Sequence, residues 1–467
     1  MRCLAIDLGA DSGRVILGTE VGGQIRQEVL HRFPNRPQRA VDGSLHWDIE
    51  ALWEGIQAGL RLGAKSGSID SIAIDTWGVD YGLVDVEGRL LEAPYHYRDG
   101  RTDGIAAEIQ ARCGREALFA RTGTRSLPFN TIFQLVAHQR AAPEILAKAH
   151  RLLTIPDLFA YRLSGIMANE WTNAGTTGLT KAGEPAWDHE LIREIGLPAH
   201  LFGTIVRPGS ILAPLRPNLV QGLGFTGPAP RIVVPGSHDT ASAIAAMPVD
   251  DAGTAYISCG TWSLMGVLRD QPLTTPAALA ADLSNEVSVD GRVRLLRNIM
   301  GLWVWQECRR DRVAEGLDAD HGALATLASA SPAGPVTLAT GAIDINHADF
   351  LPPSVPGDRM VDRFRRHAAA QGLSCGDDGA LFRRITESLA AAYAACRTGL
   401  EEATGAPITR ICLLGGGVRN RLLCELTGQA CQVPILVGDE EATALGNLTV
   451  QLRALGQGSR SSAAQGA

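Results

Sequence analysis

A chain of 467 residues is too long for one ordinary domain and about right for two large ones. Hydrophobic residues make up 45% of it, the formal net charge is −7, and lysine occurs only as Lys65, Lys148 and Lys181. No basic block marks a nucleic-acid or membrane-surface protein, and no apolar run reaches membrane-spanning length.

The nine cysteines are scattered, with no CxxC pair and no zinc-like Cys/His spacing, so buried free thiols in a reducing cytoplasm are expected. In chain order, residues 3–7 read as a short apolar strand ending in a carboxylate, followed by a glycine-containing turn and a returning strand over 14–19. A third strand is expected near 28–33. Residues 48–64 form an amphipathic helix with Ile49, Leu52, Trp53, Ile56 and Leu60 on one face. Residues 71–75 repeat the buried strand that ends in a carboxylate, and 81–91 read as a hairpin about Glu87-Gly88. Helical stretches broken by Pro and Gly fill 100–230. A strand over 231–235 then runs into a helix over 239–246.

The polar, proline-bearing stretch 247–253 is the expected hinge, dividing the chain into domains 1–246 and 247–467. After it the opening theme returns, with a strand over 254–258, a turn at 259–261 and a returning strand over 262–268. An alanine-rich helix over 381–404 follows. A strand over 408–414 meets three glycines, and a helix (420–431), a strand (434–437) and a helix (440–454) finish the second half. The tail from about 458 reads as disordered. The expected fold class is α/β, with two similar domains facing a central cleft.

Four motifs carry chemistry. In Asp7-Leu-Gly-Ala-Asp-Ser-Gly-Arg14 a strand delivers Asp7 into a tight turn whose glycines admit an anion, with Asp7 placed to hold a metal ion through water. Cys259-Gly-Thr-Trp-Ser263 is the matching turn of the second half, in which Trp262 reads as core. Both also fit plain hairpins. Leu414-Gly-Gly-Gly417 lets backbone lie flat against a nucleotide, with free N–H groups at the following helix start. In Gly236-Ser-His-Asp-Thr240 a strand ends and a helix begins. Asp239 there stands at or next to the helix N-cap, a position capping alone explains, and the helix dipole favours the ionised form a general base needs.

Gly222-Leu-Gly-Phe-Thr-Gly227 matches GxGxxG, but Pro228 and Pro230 follow, so no helix opens there and a dinucleotide site is excluded. A P-loop is absent, as are the HRD and DFG runs of protein kinases, and His189-Glu190 lacks the second His of HExxH. The eight tryptophans read mostly as core, with one or two left for a sugar site.

The Asp7–Arg14, Ile74–Asp80, Gly236–Thr240, Gly260–Trp262 and Leu414–Gly417 runs occur in this order and together resemble the FGGY family of carbohydrate kinases, over roughly residues 3–450. The resemblance implies two ribonuclease H-like (actin-like ATPase) domains, ATP and Mg²⁺ as cofactors, a small sugar as partner, and a monomer or small homo-oligomer in the cytoplasm. It places Ala10, Asp11, Ser12, Gly13, Arg14, Thr261, Gln306 and Gly416 against ATP, and Gly78, His238, Asp239, Thr240 and Asn298 against the sugar. Asp239 would be the base and Asp7 would hold the metal ion.

The more specific runs are Trp77-Gly-Val-Asp80 and Asn298-Ile-Met-Gly-Leu-Trp303, with Tyr97-Arg-Asp-Gly-Arg101, Leu127-Pro-Phe-Asn-Thr131 and Pro156-Asp157 as further resembling stretches. They imply transfer to the 1-hydroxyl of L-rhamnulose. L-Fuculose, xylulose or another polyol stays open, as does an actin-like ATPase without a sugar substrate. Residues 310–340 and 344–360 fit the family loosely.

Overall fold

The computed structural model describes residues 1–317, 320–351 and 357–464. Each half carries a six-stranded sheet. In the first, β1 (Arg2–Leu8), β2 (Ser12–Val21) and β3 (Gln24–Pro34) form an antiparallel meander, and β4 (Ser71–Thr76) lies parallel to β1. With β5 (Ile211–Pro214) and β6 (Arg231–Val233) the order is β5-β6-β4-β1-β2-β3. In the second, β7 (Thr254–Cys259) and β8 (Ser263–Arg269) form the hairpin, and β9 (Ser284–Val287) and β10 (Val293–Ile299) extend it antiparallel. With β11 (Arg410–Leu414) and β12 (Ile435–Val437) added in parallel, the order is β9-β10-β8-β7-β11-β12.

The repeat expected from the sequence is therefore topological. In each half a hairpin is flanked, on the side of its first strand, by parallel strands. Those inner strands are covered on both faces, which is why they read as unbroken apolar runs. All six residues of β4 are buried, whereas edge strand β3 is largely exposed.

Among the helices that set the site are α1 (Ile49–Lys65), α2 (Asp239–Ala245), α3 (Trp303–Ala314), α4 (Asp378–Thr404), α5 (Arg421–Cys431) and α6 (Ala442–Ala464). Helix α1 starts at Asp48, whose carboxylate accepts the Ala51 N–H at 2.9 Å, and buries Ile49, Leu52, Ile56 and Leu60 against Leu4, Ile6, Val15 and Ile72. Helix α4 starts at the Asp377 cap, ends at left-handed Gly405 (φ 67°), and packs Phe382, Ile385, Leu389 and Tyr393 into the second core. A third core lies under the long insertion of the first half, around Tyr81, Phe133, Leu135, Leu152 and Phe202.

Two expectations change. The 81–91 hairpin exists only as a tight turn with a single bridge, Val84 to Leu90, because the strand Tyr81–Val84 pairs instead with Arg151–Thr154. The last helix does not stay with the second half. Helix α6 lays Ala444 and Leu448 on Cys3, Ala5 and Ile16 of the first sheet. Gln451 accepts from Ser71 Oγ at 2.6 Å and donates to the Leu4 carbonyl at 3.1 Å. The chain thus crosses between the halves twice, near 246–254 and again near 437–442. The tail expected to be disordered from about 458 falls partly within α6 and partly, at 465–467, outside the described residues. All nine cysteines are free, and seven are buried. Among the described residues no helix is long and apolar enough to cross a membrane.

Candidate active site

The ends of β1, β4 and β6 meet the opening hairpin turn at the seam between the halves, where residues of both line a cavity of about 790 Å³. That is the size of a small-molecule site. Asp7, near the end of β1, stands in register with Asp75 of β4 and with Arg14 of β2. Arg14 Nε and Nη2 donate to Asp7 Oδ2 at 2.9 and 2.7 Å, and its Nη1 meets Glu441 at 2.5 Å.

Ala10, Asp11, Ser12 and Arg14 line the cavity, but Gly13 does not. Gly13 sits in β2 facing the core, where a β-carbon would stand 2.5 Å from the Phe33 ring. Of the run Ala10–Arg14, Gly13 is thus the position that packs on the core beside the lining and not within it. Asp11 also has a role the sequence did not suggest. Its carboxylate accepts from Thr261 Oγ1 and from Arg310, both at 2.7 Å, so the two phosphate-type turns bond to each other across the cleft.

From the second half come Thr261, Gln306, Asn298 and Gly416, all lining the same cavity. Gly415 has φ +80°, and a β-carbon there would come 3.0 Å from the Cys259 carbonyl, so the glycine loop packs backbone to backbone on the β7 turn. Gln306 Oε1 is buried with no hydrogen-bond partner, which leaves an acceptor for a ligand N–H. Trp262, expected to be core, is half-buried and lines the cavity beside Phe129 (ring centroids 5.6 Å apart) and Tyr97, to whose hydroxyl its indole N–H donates at 3.3 Å. Trp77 and Trp305 line it too.

Gly78, His238, Asp239 and Thr240 complete the lining. Gly78 precedes Val79, whose backbone is left-handed (φ 70°) and is fixed by Thr176 Oγ1 on its N–H (3.1 Å) and Thr131 Oγ1 on its carbonyl (2.6 Å). Just beyond, Asp80 is a buried acceptor for Trp47 Nε1 (2.6 Å), Trp77 Nε1 (3.0 Å) and Gln134 Nε2 (2.8 Å).

His238 is the N-cap residue of α2 and Asp239 its first residue. The preceding Ser237 donates its N–H and Oγ to Glu170 Oε2 at 3.1 and 2.6 Å, and the His238 N–H reaches Thr172 Oγ1 at 3.2 Å. Asp239 Oδ1 accepts from Thr240 Oγ1 at 3.1 Å and lies 3.5 Å from His238 Nε2. From the sequence the helix dipole is expected to keep this carboxyl ionised. Instead burial raises its pKa, against the pull of His238, and Asp7 raises it further. A seven-residue helix offers only a partial charge against these terms.

Asp75, Asp80 and Glu170 were not singled out from sequence. Asp75 had a signal, because its strand ends in a carboxylate exactly as β1 does in pattern, one residue short of the turn. Burial, then Asp7 and Asp239, push it well above the ordinary carboxylate range, and Oδ1 has no partner. Glu170 caps the short helix at Trp171–Ala174 through Thr172 and Asn173, but its link to the site, Ser237, is 67 residues away. One further group could hold a metal ion among the described residues, the exposed His347, Asp349 and His367. A 2.9 Å ion pair between Asp349 and His367, with a turn in which His347 Nδ1 accepts the Asp349 N–H, accounts for it, and it lies outside the cavity lining.

Two hairpin-led α/β halves closing on one carboxylate-bearing cleft define the class of two-domain small-molecule kinases. The model of the FGGY family of carbohydrate kinases, N-terminal domain, matches residues 2–246, and that of the C-terminal domain matches residues 255–455. The chain belongs to the FGGY family of carbohydrate kinases. It is 40% identical over 456 residues to the rhamnulokinase of Pectobacterium carotovorum subsp. carotovorum, covering 97% of this chain and 88% of that protein. It is 38% identical over 456 residues to the rhamnulokinase of Klebsiella pneumoniae (strain 342), covering 97% and 89%. Among solved structures, ligand-bound xylulose kinase from Lactobacillus acidophilus superposes with a TM-score of 0.77 at 17% identity, covering 98% of this chain and 90% of that one. Plasmodium falciparum glycerol kinase with ADP gives 0.74 at 14% identity, covering 97% and 89%. These two likenesses concern the fold.

Proposed function

We propose that this chain transfers the γ-phosphate of ATP to the 1-hydroxyl of L-rhamnulose. The observation that carries the reading is the meeting of Asp239, His238 and Asn298 with both phosphate-type turns around one cavity. The end-to-end similarity to proteins named rhamnulokinase supports the choice of sugar.

Phosphoryl transfer asks for positioning and charge neutralisation more than covalent work. Asp239 is the base that accepts the hydroxyl proton late in transfer. The rise of its pKa by burial and by Asp7 makes it a stronger acceptor, nearer the working pH. Gly78, His238, Thr240 and Asn298 orient the sugar. Ala10, Ser12, Thr261 and Gly416 stand where phosphates and nucleotide would lie, and Gln306 offers its unpaired oxygen to the nucleotide. Arg14 reaches a phosphate by leaving Asp7 or Glu441.

The residues present fit a divalent cation. Asp7, Asp75 and Asp239 bear on one another electrostatically, and Asp75 keeps a buried oxygen without a partner. Asp7 would hold Mg²⁺ through water, with Asp75 behind it, and the ion would supply charge neutralisation at the phosphates. The contacts of Asp11 with Thr261 and Arg310 bridge the two halves, and closure there would exclude water and limit hydrolysis.

A coupled ADP-release assay over a panel of ketoses tests the reading. The highest kcat/KM is expected on L-rhamnulose. A higher value on L-fuculose or xylulose would replace the substrate, and turnover independent of any sugar would replace the reaction.

A further inference from the structure

Three charged or titratable side chains meet behind the sugar-facing wall, and they come from both halves. His238 Nδ1 lies 3.1 Å from Arg294 Nη2 and 3.3 Å from Glu286 Oε2, and Arg294 Nη2 lies 3.0 Å from that same oxygen. Arg294 stands on β10 and is 0% exposed, while Glu286 stands on β9 and borders the cavity. Arg294 Nε also donates to the Val287 carbonyl at 3.1 Å.

An arginine in a site with no solvent needs close partners, and its guanidinium only donates. Nδ1 faces both a donor, Arg294 Nη2, and an acceptor, Glu286 Oε2; the arginine is nearer and already engages that carboxylate oxygen, and where it donates to Nδ1 the ring proton sits on Nε2. Nε2 is the nitrogen that faces Asp239 Oδ1 at 3.5 Å. Glu286 balances the Arg294 charge. Burial raises its carboxyl, but Arg294 and then His238 outweigh that and hold it below the ordinary range.

We propose that Glu286 and Arg294 are positioning residues that fix His238 in the tautomer with its proton on Nε2, directed at Asp239 and the reacting hydroxyl. The pair stands on the second sheet, whereas His238 and Asp239 belong to the first half. Setting the base is thereby tied to the mutual seating of the halves. The inference rests on Asp239 being the base.

Two measurements on the full chain test it. Glu286→Leu/Arg294→Met removes both charges together, leaves neither ion without its counter-ion in the core, and puts no new donor against His238 Nδ1. The double variant should keep a near-native Tm and lose 10- to 100-fold in kcat, with KM for ATP within about threefold. In an Asp239→Asn background the same pair of changes should cost little more, because residues acting through one group are non-additive. ¹⁵N NMR of the His238 ring should show the Nε2–H tautomer in the unsubstituted protein and a shift away from it in the double variant. Unchanged kcat, an undiminished loss in the Asp239→Asn background, or an Nδ1–H ring in the unsubstituted protein would each overturn the assignment. Near-normal turnover of Asp239→Asn alone would instead remove Asp239 as base, leaving the tautomer result to stand or fall by itself.

Discussion

Gly446→Ala should damage both stability and turnover, although residue 446 touches neither substrate. Helix α6 crosses α2 at this glycine, and a β-carbon there would lie 1.7 Å from the Ser242 carbonyl oxygen. A carbon and a carbonyl oxygen settle at about 3.3 Å, so the helices must part by roughly 1.6 Å. Neither side yields easily. Helix α2 is pinned by Ser242 Oγ on the Gly236 carbonyl (2.6 Å) and by Ala243 and Ile244 in a core with Tyr256 and Leu414. Helix α6 is pinned by Asn447 on Asp75 (2.5 Å) and by Gln451 on Ser71 (2.6 Å).

Overpacking a tight core costs about 1–3 kcal/mol, which for a domain of this size lowers Tm by roughly 2–12 °C. Any shift of α2 moves Asp239, three residues before Ser242. A displacement on the order of 1 Å at a reacting group can lower kcat by about 10²-fold. Thermal denaturation and the coupled assay at a temperature where the variant stays folded read the two effects. Gly222→Ala is the control, because a β-carbon there meets nothing within 4 Å, and it should gain up to about 1 kcal/mol from helix propensity. A Gly446→Ala protein with the Tm and kcat of the parent would refute the crossing geometry.

Three other expectations follow from the same contacts. Asp239→Asn should lower kcat by on the order of 10²-fold or more with ATP affinity little changed, and near-normal turnover would show that the base lies elsewhere. Burial raises Asp80 to about 6, against Gln134, Trp47 and Trp77. Its folded value exceeds its unfolded one, so stability falls as pH rises from about 4 through 6, by roughly 3 kcal/mol from this group. Asp80→Asn cannot ionise, so its Tm relative to the parent should climb over that interval, and a gap constant from pH 4 to 7 would contradict the assignment. Arg310→Ala removes the half-exposed cross-cleft pair with Asp11, worth about 0.5–1 kcal/mol. The KM values should rise about two- to fivefold with kcat at saturation kept, and a fall in kcat alone would show that Arg310 acts on the chemistry.

What the sequence made legible was local. Asp7, Asp239, the Gly-Thr turn and the triple glycine each sit where a strand ends, and strand ends are visible as apolar runs stopped by a turn. The failures came from pairing at a distance. Gly13 belongs to the motif by spacing, and its tight packing on Phe33, a neighbour on β3, is visible only once the strands pair. Trp262 looked like core because an indole in an apolar run usually is, but its partners Tyr97 and Phe129 lie in the other half. Glu170, Glu286 and Arg294 carry no short-range mark of the site. Glu286 and Arg294 face each other across one antiparallel strand pair and Glu170 caps its own short helix, but their approach to His238 and Ser237 arises only when separate segments converge. The helix dipole was overrated at Asp239 because the burial that raises its carboxyl, and Asp7 that raises it further, depend on segments far away in the chain.

The return of α6 to the first sheet bears on how the molecule is made. Cys3, Ala5 and Ile16 form a face that Ala444 and Leu448 of α6 cover, with Leu452 and Leu455 packed beside them. Residues 247–441, about 195 of them, must leave the ribosome before that cover exists. At about 5–20 residues per second the first half waits roughly 10–40 s with an apolar sheet face open. A fragment ending at residue 246 would keep that face bare permanently, so the first half is a unit of the finished protein and not of the nascent one.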